Sequence, residues 1–382
     1  MKIAVSAASG IEAVVKRELY NLGIENAPAV NGRLIFDGDL SDIEKCNLYL
    51  RSASRVLIVL KEFKAENFDE LFDGIYEIDW KNYLSYDAKI VVDAKCVRSK
   101  IYAISATQSI VKKAICQKMF KQFKRSTLPE TGARYKIEVS ILKDYCTVSL
   151  DTSGEGLHRR GYRTLVGDAP LKENIASALI QLSVWKPSRP FVDLFCGSGT
   201  LPIEAALIAK GVPSGIGRDF DFLHWENFKN NGFEELKSKA MSSLNDVSDV
   251  KICGFDIDEK HIRLAREHAK RAGVSDMIHF QRADMRDFST KDKRGVIISN
   301  PPYGERLEDR REIETLYRDF GKLAKNLDDW CFYTITPVTD FERLFGKKAD
   351  KKRKLYNGSI ECVYYSHLAE LKSNDDLQAL LA

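Results

Sequence analysis

The stretch Val192-Asp193-Leu194-Phe195-Cys196-Gly197-Ser198-Gly199-Thr200 runs an apolar segment into a glycine-rich turn, and a helical stretch over 201–210 follows. Glycine lets the backbone approach a ligand closely, and in open α/β sheets such turns lie at the carboxyl edge where ligands bind. A tight strand-to-helix turn with no ligand reads the same way, so the G-x-G alone decides little. The acid in front of it adds information. Asp193 can face a cationic amino-acid moiety, whereas a dinucleotide pyrophosphate would be repelled and would bring the full G-x-G-x-x-G.

Outward from this turn, apolar runs at 191–195, 252–255, 278–280, 296–299 and 331–335 alternate with helical stretches, which predicts a doubly wound, Rossmann-like parallel sheet. Asn357-Gly358, flanked by two strand-like runs, predicts an antiparallel hairpin that closes it. The second run ends in Gly254-Phe255-Asp256-Ile257-Asp258, placing Asp256 where a carboxylate accepts from ribose hydroxyls. Asp256 stands much farther along than the roughly 20 residues of a dinucleotide fingerprint, and an insertion over 211–250 accounts for the difference. Asp258 reads either as a further site acid or as the cap of a helix over 259–272. Asp284, after the third run, can accept from an adenine amino group or be a solvated loop aspartate.

Asn300-Pro301-Pro302-Tyr303 follows the fourth run and is the most specific feature of the chain. Methylating an aromatic amine requires acceptors for its hydrogens, so that the nitrogen lone pair points at the methyl carbon; the Asn300 carboxamide and the Pro301 carbonyl supply them. Pro302 stiffens the backbone, and Tyr303 can stack on an extruded base. The alternative is a rigid Asn-Pro turn.

The first half has a different grammar. Short strands at 33–36, 56–60 and 90–94, helical periodicity over 10–23, a helix over 105–124 and a strand pair within 135–150 make an α+β pattern without obvious parallel βαβ units. The 105–124 helix carries Lys112, Lys113, Lys118 and Lys121 opposite an apolar stripe, followed by Lys124 and Arg125. Leu157-His158-Arg159-Arg160-Gly161-Tyr162-Arg163 reads as a basic connector, which places a domain boundary near Thr164 and divides the chain into 1–164 and 165–382.

Length and composition fit two or three globular domains: 382 residues, 44% apolar and 30% charged, with a formal net charge of +4 that by itself diagnoses no partner. No window approaches the roughly 20 apolar residues of a membrane helix, and no leader-like apolar region opens the chain, so a cytoplasmic protein with no membrane partner is expected. The eight cysteines form no C-x-x-C pair; they read as reduced thiols, with no metal expected.

These segments together resemble the THUMP-domain class I RNA methyltransferases, specifically the bacterial large-subunit ribosomal RNA guanine-N2 methyltransferases, often labelled N6-adenine-specific DNA methylases. The matching segments are 9–23, 157–163, Ala169-Pro170-Leu171-Lys172-Glu173-Asn174, 193–200, 300–306 and 351–358, spread over nearly the whole chain. The resemblance implies a ferredoxin-like plus THUMP module ahead of the methyltransferase domain. It implies S-adenosylmethionine as cofactor, contacted by Asp193, Cys196, Gly197, Ser198, Gly199, Asp256 and Asp284, with Asn174 on a helix covering the methionine end. Asn300, Pro301, Pro302 and Tyr303 would hold the base.

Structured RNA, ribosomal or within an assembling particle, is then the expected partner. Its candidate contacts are Lys113, Lys118, Lys121, Arg159, Arg160 and Arg163, with Lys352 and Arg353 from the basic run before the hairpin. Glu305 and Arg306 are chemically suited to reading the additional donor and acceptor of guanine. Three rivals stand beside this reading: a transfer RNA guanine-N2 methyltransferase, an adenine-N6 nucleic-acid methyltransferase, which shares the Asn-Pro-Pro-Tyr motif, and an RNA-binding ribosome assembly factor without turnover.

Overall fold

A computed structural model gives the fold and describes residues 1–163, 171–228, 232–303 and 309–369, the side chains of 309 and 310 excepted. The first half comprises β1 (Lys2–Ala7), α1 (Glu12–Asn21), β2 (Ala29–Val30), β3 (Arg33–Asp37), α2 (Leu40–Tyr49), β4 (Ala53–Lys64), α3 (Phe68–Tyr76), β5 (Lys89–Val97), α4 (Ile104–Phe123), β6 (Arg134–Leu142) and β7 (Tyr145–Asp151). Its strands form one sheet in the order β2-β3-β1-β4-β7-β6-β5. The long β4 makes it continuous, because residues 53–58 pair with β1 while 57–64 pair with β7. One parallel βαβ unit, not obvious in the sequence, is present in this half. β5 and β6 pair in parallel from Lys89↔Arg134 to Val97↔Leu142, with α4 as the crossover. No glycine-rich turn marks that unit, and the lysines of α4 drew attention to its outer face instead of its packed one.

The second half comprises α5 (Glu173–Leu182), β8 (Phe191–Asp193), α6 (Thr200–Lys210), α7 (Phe233–Ser242), β9 (Ile252–Asp256), α8 (Glu259–Arg271), β10 (Ile278–Arg282), β11 (Val296–Ser299), α9 (Asp309–Asn326), β12 (Cys331–Thr336), α10 (Phe341–Phe345), β13 (Lys351–Asn357) and β14 (Ile360–His367). The sheet order is β10-β9-β8-β11-β12-β14-β13. It is parallel from β10 to β12, and β14 then runs antiparallel to β12 and β13. Every residue of β11 is buried, as a strand covered on both faces requires. The chain crosses from one side of the sheet to the other between β8 and β11, and the crevice outside their carboxyl ends is where such sheets take ligands. Because Thr336 is in register with Val363, the turn at 357–360 overhangs that same edge.

The halves exchange parts of their cores. Ile11 and Val14, from the start of α1, belong to the apolar cluster of the second sheet. In return the 211–250 insertion sends Phe220, Phe222, Trp225 and Phe233 into the core of the first. Trp225 stacks on Tyr135 with centroids 4.9 Å apart, and its indole N–H donates to the Arg134 carbonyl at 2.8 Å. Gly10, at φ +96°, lies so close to β13 that an added Cβ would stand 2.3 Å from the Lys354 carbonyl oxygen. A side chain there would push the first half off the edge strand.

Buried charge follows the same seam. The Glu18 carboxylate accepts from the Arg51 amide at 3.0 Å and the Ser52 hydroxyl at 2.7 Å, and from the Gln181 amide on α5. The fully buried Glu204 of α6 accepts from the Tyr162 hydroxyl at 3.1 Å and faces the Arg160 guanidinium. Ion pairs of this kind cost desolvation and hold only while every partner is present. The boundary residue Thr164 lies outside the described residues; on its near side, Leu157 packs in the first core and Tyr162 in the second.

Candidate active site

A cavity of about 620 Å³ opens at the carboxyl ends of β8, β9 and β10, and Asp193, Cys196, Gly197, Ser198, Asp256, Asp284, Asn300 and Pro302 all line it. Asp193 ends β8 and is 2% exposed; its carboxylate accepts the Phe195 N–H at 3.1 Å. Burial first, and the nearby charge of Asp256 after it, push this carboxyl up to about 7. The turn then passes through Gly197 at φ +51° and Gly199 at φ +85°, a region that side chains rarely adopt. Gly199 caps α6, and a Cβ there would stand 3.0 Å from Ala265 and Phe280.

Asp256, at the end of β9, holds the turn from the other side. Its Oδ2 accepts the Gly197 N–H at 2.9 Å, and its Oδ1 accepts the Asp258 N–H at 2.9 Å and faces His261 Nδ1 at 3.2 Å. Each carboxylate oxygen has two lone pairs, so acceptor capacity remains toward the cavity. Asp258 caps α8 through the Lys260 N–H at 2.8 Å, in the second of its two expected roles. Asp284 accepts from the Arg286 amide and pairs with its guanidinium, each at 2.9 Å, so its charge is partly neutralised where it meets the cavity. The Cys196 thiol is buried and its ionisation pushed well up, mainly by desolvation, so it stays protonated and serves as packing.

Asn300 and Pro302 stand opposite these acids. The Ser299 hydroxyl accepts the Leu194 N–H at 3.1 Å, tying the start of the motif to the glycine turn. The Tyr317 hydroxyl of α9, fully buried, donates to the Pro302 carbonyl at 3.0 Å and contacts the Thr336 hydroxyl. Tyr303 turns its hydroxyl onto the Asn300 carboxamide oxygen. Pro301 is buried beneath the motif.

Several expected site residues fall elsewhere. Asn174 is corrected: it is buried in the seam between the halves, its side-chain amide 3.4 Å from the Ala53 carbonyl, and it does not line the cavity. Arg160 and Arg163 are also corrected as contact residues. Arg160 is buried against Glu204 and two carbonyls, and Arg163 pairs with Glu173 at 3.3 Å while donating to the Leu171 carbonyl. The carboxylates they neutralise lie on α5 and α6, which come against the connector only in the folded chain. Arg159 stays exposed. Of the α4 lysines, Lys113 and Lys121 are exposed, whereas Lys118 lies 5.1 Å over the Tyr76 ring. Lys352 and Arg353 remain on the surface, held at 2.8 Å to Glu342 and 3.2 Å to the Gly10 carbonyl. Glu305 and Arg306 lie outside the described residues.

The cavity also has walls that sequence reading missed. Ile257, 64% exposed directly after Asp256, offers an apolar surface, and Glu312, Ile313 and Leu316 of α9 close the far side. No sequence signal marks them, because exposure beside a cavity is set by what faces a residue across space.

Comparison with known proteins adds a family. Residues 160–366 match the RMKL-like methyltransferase domain, 2–57 the RlmL ferredoxin-like domain and 65–151 the THUMP domain. The chain is 42% identical to "Putative RNA methyltransferase YpsC" of Bacillus subtilis (strain 168), over 97% of this chain and 96% of that one. It is 34% identical to "Ribosomal RNA large subunit methyltransferase K/L" of Aliivibrio fischeri (strain MJ11), over 93% of this chain and 52% of that protein, about half of whose length it spans. Among solved structures it is similar to "SMU.472, a putative methyltransferase complexed with SAH", at 43% identity and a TM-score of 0.92, covering 97% of this chain and 99% of that one.

Proposed function

The chain belongs to the RMKL-like methyltransferase family, and from that premise we propose that it uses S-adenosylmethionine to methylate guanine N2 in RNA, its substrate being large-subunit ribosomal RNA in the cytoplasm. One observation carries the reading: Asn300 and Pro302 open onto the same cavity as Asp193 and Asp256, so a base amine and a cofactor could meet in one space. The donor set fits. Asp193 and Asp256 present carboxylate oxygens to a cationic amino-acid end and to ribose hydroxyls, and Ile257 offers an apolar face to a purine.

S-adenosylmethionine, when bound, supplies an electrophilic methyl group on a sulfonium. The protein aligns its acceptor. The Asn300 carboxamide oxygen and the Pro301 carbonyl take the amine hydrogens, so that the nitrogen lone pair is aimed by geometry, with no covalent enzyme intermediate. Tyr303 occupies the Asn300 oxygen in the structure, so an entering base displaces that hydroxyl and leaves the ring free to stack on it. Tyr317, through the Pro302 carbonyl, keeps the motif's backbone in place. RNA would be collected by the exposed Lys113 and Lys121 of α4, by Arg159, and by Lys352 and Arg353, all on the surface.

Nucleoside mass spectrometry of ribosomal RNA from a deletion strain tests this. N2-methylguanosine should appear on complementation with the intact gene and stay absent with Asn300→Ala. N6-methyladenosine in its place would replace guanine by adenine while keeping the amine chemistry.

A further inference from the structure

Two cavities open side by side where the halves meet, one of about 160 Å³ and one of about 760 Å³, and His158, Lys172 and Gly358 line both. They form one groove beneath the 357–360 turn, which overhangs the same sheet edge as Asn300. The deeper part is floored by Asn174 and Ser54, and the outer part runs past Arg218.

Glu155, Glu173 and Asp219 line the groove as well, but they face Arg159, Arg163 and His224 respectively, which leaves Lys172 and Arg218 as its incompletely answered cations. Lys172 is exposed and, among the described residues, has no carboxylate partner. Arg218 is buried, its guanidinium donates to the Gly156 and Glu155 carbonyls at 2.6 Å each, and among the described residues no carboxylate pairs with it. His158, between them, is held neutral: burial and then the charges of Lys172 and Arg159 push it down to about 4. Asn174, 2% exposed, adds a different demand. Its Nδ2 lies 3.4 Å from both the Ala53 carbonyl, which only accepts, and the Ser54 hydroxyl, and with the amide so oriented its buried Oδ1 has no donor among the described residues. An anion answers the cations, and a hydrogen-bond donor answers Asn174. A nucleotide carries both in one unit.

Building on the reading of the chain as an RNA methyltransferase, we propose that this groove is a second nucleotide subsite: it seats a nucleotide flanking the target base, with its phosphate toward Lys172 and Arg218 and a ribose hydroxyl or base amine donating to Asn174 Oδ1. The groove would grip the strand on the hairpin side of the target while Asn300 engages the extruded base. It would thereby set which position along the strand reaches the motif.

The test uses the full chain, an in vitro transcript of large-subunit ribosomal RNA, and calorimetry with S-adenosylhomocysteine as a separate readout. Lys172→Glu and Ser359→Glu both alter exposed positions. Each should weaken RNA binding by about tenfold at low salt and leave cofactor-product affinity and melting temperature unchanged. Asn174→Ala should weaken it about fivefold, in line with the loss of one hydrogen bond. If that loss vanishes on an all-2′-deoxy transcript the donor is the ribose hydroxyl, and if it persists the donor is a base. Wild-type protein that binds and methylates the transcript while both glutamate variants behave like it overturns the subsite alone. Wild-type protein that does not bind RNA overturns the subsite together with the reading beneath it.

Discussion

The acidic cleft and the basic seam are both reached from the carboxyl edge of one sheet, and they are assembled in opposite ways. In the cleft, Asp193, Asp256 and Asp258 each accept a backbone N–H two positions further along the chain, so the acids are set by the turns that carry them. In the seam, Arg160 reaches the Arg51 carbonyl 109 positions away, and Arg51 reaches carbonyls of α6 and the loop after it, 156 and 161 positions away. Longer-range contacts join those turns to one another, Asp256 to the Gly197 N–H and Ser299 to the Leu194 N–H, but each acid is first set within its own turn. A site held by distant pairings exists only when the whole chain has closed, so in this protein the methyltransferase cleft and its alignment with the first half depend on different kinds of interaction.

The largest effect should come from breaking the seam. Trp225→Ala removes a fully buried ring stacked on Tyr135 and should cost roughly 3–5 kcal/mol. Because the ring joins the insertion to the other core, denaturant unfolding of the variant should begin at a lower midpoint in the first half than in the second; two halves that still unfold together at the wild-type midpoint would show that the exchange contributes little. Asn300→Ala probes the cleft's chemistry without touching its acids. Turnover should fall by roughly 10²–10³-fold, the scale of losing one positioned hydrogen-bonding group, while calorimetric cofactor affinity holds. A collapse of cofactor affinity instead would mean that Asn300 belongs to the other wall.

Asp256→Ala should weaken the cofactor by roughly 1–3 kcal/mol, since it removes a charged acceptor and loosens the Gly197 turn. An unchanged affinity in a folded variant would take Asp256 out of the site. The smallest effect is a pH dependence. Asp193 is pushed up to about 7 by burial, so the folded protein prefers its neutral form and loses stability from this group as pH rises from about 4 to 7. A cationic ligand needs the carboxylate. Cofactor affinity should therefore rise about tenfold from pH 6 to pH 8, and Asp193→Asn should flatten that slope. A flat profile for the wild-type protein would show that Asp193 does not face the cation.

Most of the cleft was readable before folding. The glycine turn, the acids at strand ends and Asn300-Pro301-Pro302-Tyr303 are written as short segments, and each sits at the end of an apolar run whose burial forces it to the sheet edge. Ile257 and the α9 wall were not readable, because being bare beside a cavity is a property of what faces a residue across space. The connector failed for the same reason: an Arg-rich heptapeptide looks like a free basic surface until Glu204 and Glu173, carried by α6 and α5, come to lie against it.

The sequence by itself thus determined the strands of the second sheet and the residue types at its edge, since strand runs and turn residues act through neighbours a few positions apart. The tertiary structure alone decided that Asn174 looks into the seam, that Arg160 is buried and Arg163 paired with Glu173, and that Phe220, Phe222, Trp225 and Phe233 of the insertion enter the other core. Those outcomes follow from pairings between segments remote in the chain, whose entropy cost is met only by the assembled apolar surface of both halves.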